Sequence, residues 1–200
     1  VSEIGSNKLF WAGDNQQSGD YFVLSFKTDI ENYIGSSGND DVTLSISVIN
    51  DISTGIGDDV VRDVLITDIV NTGAGADTIY LSYTTLDPAT DVSIDGGSEA
   101  DAFDLVVYDL QPNIEVDFTQ SRTMFVNFEG HNFTDNEKQA IILDSEDFIT
   151  INAQTLTIQG DSNDEISLPE DALQTSSDDL YLYYTLSDVE VAISVDLLLV

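Results

Sequence analysis

Cysteine is absent from this 200-residue chain, so neither a disulfide nor a thiolate metal site can form. Positive charge is nearly absent too. Lys8, Lys27, Arg62, Arg122 and Lys138 stand against 38 acids, for a formal net charge of −33. Five scattered cations cannot assemble a basic patch, which excludes nucleic acid as a partner. Anionic lipid and anionic polysaccharide are disfavoured for the same reason. No run is long and apolar enough to insert in a membrane; the apolar stretch Val195–Val200 is interrupted by Asp196. Only one histidine is present, His131, and no serine is paired with a histidine and an acid at a recognisable spacing. No two acids stand out as a glycoside-cleaving pair, and Arg62 and Arg122 are too isolated to serve a lyase. The chain does not read as an enzyme.

Hydrophobic residues make up 42% of the chain, too many for an acidic disordered tail. A compact fold carrying this charge repels itself, so bound divalent cations are the expected counterions. The sequence begins Val1-Ser2-Glu3, without an initiator methionine or a signal peptide, and reads as a module of a larger protein. An acidic, cysteine-free chain suits the outside of a bacterial cell. Free calcium there can fill weak sites of roughly 10⁻⁴–10⁻³ M.

The most informative pattern is a repeated turn. It occurs as Gly35-Ser-Ser-Gly38-Asn39-Asp40-Asp41-Val42 and Thr54-Gly55-Ile-Gly57-Asp58-Asp59-Val-Val61. It returns as Thr72-Gly73-Ala-Gly75-Ala-Asp77-Thr-Ile79 and Gly96-Gly97-Ser-Glu99-Ala-Asp101-Ala-Phe103. The steps between Asp40, Asp59, Asp77 and Asp101 are 19, 18 and 24 residues. A weaker relative, Ser18-Gly19-Asp20, precedes them, and Gly160-Asp-Ser-Asn163-Asp164 repeats the theme late in the chain. An internal repeat of this length signals stacked units.

Between the turns, apolar and β-branched residues alternate, as in Val42–Val48, Val64–Val70 and Ile79–Tyr83. Period two reads as strand. Turn, strand, corner and second strand in 18 to 20 residues make about one coil of a β-solenoid. The expectation is therefore an all-β fold, a right-handed parallel β-solenoid forming one unit over 1–200. Regular coils would span 18–104 and irregular coils 105–200. Val42, Val61, Ile79 and Phe103 would form one inward ladder, with the aspartates beside it, about 4.8 Å apart. Thr134-Asp-Asn-Glu137 reads as a capping box opening a short helix to about Ile142, with Lys138 pairing with a helix acid. Tyr181–Tyr184 and Val189–Val195 read as closing strands. His131 reads as a surface-loop residue and Trp11 as a plug for the first coil.

The four turns resemble the RTX calcium repeat, a glycine-aspartate nonapeptide. Arrays of that family run consecutive nine-residue turns, whereas here the signature returns once per coil. The resemblance therefore implies several Ca²⁺ ions along one edge only. It assigns carboxylates to Asp40, Asp59, Asp77 and Asp101, with Asp20 in the weaker relative, and backbone carbonyls to Gly38, Gly55, Gly57, Gly73, Gly75 and Gly97. Asn39, Asp41 and Asp58 lie beside them as candidates for ligand contact. Without an ion, the aspartates would serve as caps for backbone groups. The stretches Asn127–Gly130 and Ile158–Asp161 and the tyrosine-rich end also resemble units of very large bacterial adhesins. In size and acidity the chain is similar to their calcium-dependent peptide-binding domains. The resemblance implies an extracellular, cell-surface, monomeric module that binds a peptide or protein. A calcium-stabilised spacer and a carbohydrate-binding module are the competing readings.

Overall fold

A computed structural model gives the fold. The described residues are 9–11, 22–25, 32–46, 49–65, 67–83, 93–97, 103–110, 112–118, 125–135, 137–143, 155–186 and 189–200. They are almost entirely β. The first half contains β1 (Leu9–Trp11), β2 (Phe22–Ser25), β3 (Asn32–Ile34), β4 (Asp40–Thr43), β5 (Asp51–Ile56) and β6 (Val60–Val64). It continues with β7 (Ile69–Ala74), β8 (Thr78–Tyr83) and β9 (Ser93–Asp95). Then come β10 (Leu105–Leu110), β11 (Ile114–Asp117), β12 (Phe125–Val126), β13 (Gly130–Asn132) and β14 (Gln139–Ile142). The chain closes with β15 (Thr155–Gln159), β16 (Glu165–Ser167), β17 (Leu173–Ser177), β18 (Tyr181–Leu186), β19 (Val189–Ser194) and β20 (Leu198–Leu199).

Three sheets result. One is ordered β1-β3-β5-β7-β9-β12, a second β17-β18-β19-β15-β13-β10-β8-β6-β4-β2, and a third β11-β14-β16-β20. From β2 to β9 the chain alternates between the first two sheets, one strand in each per repeat. Over this stretch neighbours in each are parallel, with one register shift between β6 and β8 after Val61. Asn32 lies beside Asp51, and Asp51 beside Ile69. Asp41 pairs with Val60, and Val60 with Thr78. The third sheet begins only at β11, where the repeat lengthens to 25 residues between Ile114 and its partner Gln139.

The core lies between the sheets because alternate residues face inward. Tyr33, Ile52, Val70 and Ile94 form one buried row, and Val42, Val61, Ile79 and Val106 another. Val116, Ile141 and Ile166 continue the core on the third sheet. Each such side chain contributes about 1.5–3 kcal/mol through burial. Val106, not Phe103, takes the fourth place in the second row; Phe103 is 48% exposed. The fourth repeat is three residues longer than its turn motif suggests.

Three further expectations are corrected. The alternation over Val64–Val70 is not one strand. Asp68 turns the chain by accepting the Leu65 amide at 2.7 Å on its carboxylate, and the Asp68 amide returns to the Leu65 carbonyl at 2.9 Å. Among the described residues, no helix follows Thr134. Its amide and hydroxyl donate to Asn132 Oδ1 at 2.9 and 2.6 Å, and the Glu137 amide that a cap at Thr134 would receive goes instead to Asp135 Oδ1 at 2.8 Å. Gln139 and Ile141 are buried at period two, so this segment joins the third sheet as β14, and Lys138 bridges to Glu165 on β16.

His131 is no surface residue. It lies on β13, 2% exposed, with Nδ1 at 2.9 Å from the Tyr108 hydroxyl. Tyr108 stacks on Phe133 at 4.1 Å, and Phe118 and Phe125 meet the histidine edge-on. Burial pushes the imidazole down to about 3, so it is neutral at ordinary pH. The expected closing strands are present: β18 and β19 pair antiparallel from Tyr181–Ser194 to Leu186–Val189. Trp11 lies on β1, and its side chain is outside the described residues, as is Glu99. Among the described residues, no helix is long and apolar enough to cross a membrane.

Candidate functional site

The repeated aspartates form a ladder on the inner side of the turns. The Asp40 amide donates to Asp59 Oδ1 at 2.7 Å, and the Asp59 amide to Asp77 Oδ1 at 2.8 Å. The Asp77 amide continues to Asp104 Oδ1 at 2.8 Å, and the Asp104 amide to Glu129 Oε2 at 2.8 Å. Asp40, Asp59 and Asp77 are at most 1% exposed. The fourth place thus belongs to Asp104. Asp101 and Asp20 lie outside the described residues.

Two similar inner acids escaped attention in the sequence or were only hinted at. Asp68 Oδ1 accepts the Asn50 amide at 2.8 Å and the Asn50 side-chain nitrogen at 2.9 Å. Its signal was the 18-residue step from Asn50, hidden because no glycine precedes it. Asp164, in the late echo of the motif, accepts the amides of Gln139 at 3.0 Å and Asp161 at 2.9 Å.

Neighbouring residues on a strand point their amides to opposite sides. The outer row therefore runs the other way. The Asp58 amide donates back to Asn39 Oδ1, and the Ala76 amide back to Asp58 Oδ1, both at 3.0 Å. Asn39 and Asp58 are exposed. Asp41 is engaged differently: Arg62 bridges to it at 3.2 Å and lies over the Tyr80 ring at 4.5 Å.

The glycines stack as tightly as the acids. Gly73 sits at φ +97°, and a Cβ there would come 2.0 Å from the Gly55 carbonyl oxygen. At Gly75, φ is +138° and a Cβ would meet the Gly57 carbonyl at 2.1 Å. Both the left-handed backbone and the close approach demand glycine. Gly55, Gly57 and Gly97 share the positive φ. Gly38 lies under Gly57 and accepts the Ser36 hydroxyl at 3.2 Å. Two buried threonines replace the first glycine of the motif. Thr54 donates to the Thr72 carbonyl at 2.7 Å, and Thr72 to the Gly96 carbonyl at 3.0 Å. Beside this edge opens a groove of about 330 Å³, lined by Gly55, Asn71, Gly73, Asp95, Gly97 and Asn127 among others. Asp95 accepts the Asn127 side-chain amide at 2.7 Å there.

Burial dominates the electrostatics. It pushes the Asp59 carboxyl up to about 7 despite bonds from Thr54 and the Asp40 amide, with Asp77 and Asp40 adding to the rise. Asp68, Asp164 and Glu129 are raised by the same cause. The inner row ties successive turns together by amide-to-carboxylate hydrogen bonds. Calcium takes six to eight oxygen ligands; here one oxygen each of Asp59 and Asp77 accepts an amide, Asp59 Oδ2 is buried with no hydrogen-bond partner, and the Gly55 and Gly57 carbonyls press on the next glycine. Among the described residues, no three acid or histidine side chains converge on one point. Of the residues expected to contact a ligand, Asn39 and Asp58 are the exposed ones, and Asp58 carries the carboxylate. No family model, curated protein or solved structure matches the chain.

Proposed function

We propose that the chain is an extracellular ligand-binding module of an RTX-type adhesin, built as a right-handed parallel β-solenoid. Its ligand is a peptide or protein on a partner surface. Calcium screens the −33 charge from the outer edge, where Asn39 and Asp58 are exposed, rather than from the inner acid row. One observation supports binding over a spacer: the stack ends in an antiparallel hairpin, β17–β18, whose β17 residues are all exposed. A spacer of repeated coils gains nothing from such an extension.

Peptide and glycan arrays, probed with and without millimolar calcium, test this reading. Calcium-dependent retention of peptides supports it. An array blank under both conditions removes it and leaves the spacer. Retention of neutral glycans alone turns the module into a carbohydrate binder.

A further inference from the structure

We propose that β17 is a strand-addition site for a short, basic, extended peptide. This rests on the reading of the chain as a binding module and names where and how it binds. β17 (Leu173–Ser177) is the last strand of its sheet and pairs only with β18 among the described strands. An edge strand presents a row of backbone donors and acceptors, the template a partner strand uses.

Natural edges are blunted by lysine, proline, inward charge or bulges. β17 reads Leu-Gln-Thr-Ser-Ser and has only the last of these, a bulge between Gln174 and Ser176. Leu173, 67% exposed, offers an apolar contact at one end of the strand.

β17 is held in shape although all of its residues are exposed. Asp178 accepts the amides of Leu180 and Tyr181 and the hydroxyl of Tyr183, each at 2.8 Å. The Asp178 amide closes the turn on the Tyr181 carbonyl at 2.9 Å. The Thr175 hydroxyl ties β17 to the Tyr183 carbonyl at 3.3 Å. A template ordered in advance lowers the entropic cost of adding a strand.

Charge selects the occupant. After Lys138 the sequence holds no lysine, arginine or histidine. The sequence within and flanking the hairpin carries Glu170, Asp171, Asp178, Asp179, Glu190 and Asp196. An acidic strand or a second copy of this chain is repelled there, and a lysine-bearing strand is drawn in. The bulge limits the added strand to about the length of β17 itself.

The whole chain in millimolar calcium is mixed with three ten-residue probes: an alternating Lys–Val peptide, its Glu–Val counterpart, and the Lys–Val peptide fully N-methylated. Anisotropy gives affinities, and amide hydrogen exchange locates protection. The Lys–Val peptide is expected to bind at least about tenfold more tightly than the other two and to slow exchange across Leu173–Ser177. The variant Q174K/S177K weakens it about tenfold, while E137K, the same charge change away from the hairpin, has less effect. Equal binding of the N-methylated peptide reduces the contact to charge alone and overturns the proposal. So does protection elsewhere, or equal weakening by E137K. If array peptides bind while β17 stays unprotected, strand addition fails and the binding-module reading survives. If no array ligand binds, that reading fails by itself.

Discussion

The amide of Asp40 donates to the carboxylate of Asp59 at 2.7 Å, although nineteen positions separate the two residues. Both are buried, so the bond has no competing water. It ties one repeat to the next through a side chain rather than through the sheet ladder.

Replacing Asp59 separates its two properties. Asp59→Ala leaves the buried Asp40 amide without its acceptor and is expected to lower stability by about 1–3 kcal/mol. Asp59→Asn keeps an acceptor oxygen and removes the buried charge, so it costs less at pH 6 and stabilises at pH 8. Urea denaturation at both pH values measures this. Equal losses for the two variants count against the acceptor role.

The same acid governs pH dependence. Its folded carboxyl titrates near 7, above the ordinary value of 3.8, because of burial. The folded state therefore holds a proton that the unfolded chain has released. This stabilisation is full below about 4 and fades as pH rises through 7. Asp68, Asp164 and Glu129 shift in the same direction. The melting temperature in chelator should rise on acidification from pH 8 to 5, with a gain on the order of a few kcal/mol. A melting temperature that falls over this range contradicts the buried-acid account.

Gly73→Ala should destabilise by about 2–4 kcal/mol, since it meets both a left-handed backbone and the Gly55 carbonyl. Ser53→Ala, on the outer side of the same sheet, serves as the mild control. Similar midpoints in thermal denaturation for the two variants argue against glycine stacking.

His131 should show no titration between pH 5 and 8 when its ring signals are followed by NMR. Tyr108→Phe removes the hydroxyl facing Nδ1 and should cost about 1–3 kcal/mol in denaturant. A histidine inflection near 6.5 in the parent protein runs counter to the buried position.

Calcium should raise the melting temperature most at pH 8, where the charge is greatest, and less at pH 5. Circular dichroism in chelator should already show β-structure, because the inner row is capped by amides. A random-coil spectrum in chelator returns calcium to the inner row.

Much of the stacked half was legible in sequence. Gly35, Thr54 and Thr72 lie five residues before Asp40, Asp59 and Asp77, and the constant step encodes parallel register directly. The offset failed at the fourth turn, where three extra residues moved the inner places to Asp104 and Val106. A glycine motif reports where a turn occurs, not which later acid returns to the stack. His131 was misplaced because its aromatic partners, Tyr108, Phe118 and Phe125, come from β10, the residue after β11, and β12. Local polarity around Gly130-His-Asn says nothing of such a meeting. The helix at Thr134 failed because a polar neighbour, Asp135, took the Glu137 amide that the cap would have received.

The inner ladder also gives the stack a growth polarity. Each repeat supplies an amide whose acceptor arrives only with the following repeat, from Asp40 through to Glu129. A chain emerging amino end first would complete each layer by adding the next, like courses of brick laid from one side. Damage at the carboxyl end would then unpick the layers in reverse, one exposed amide at a time.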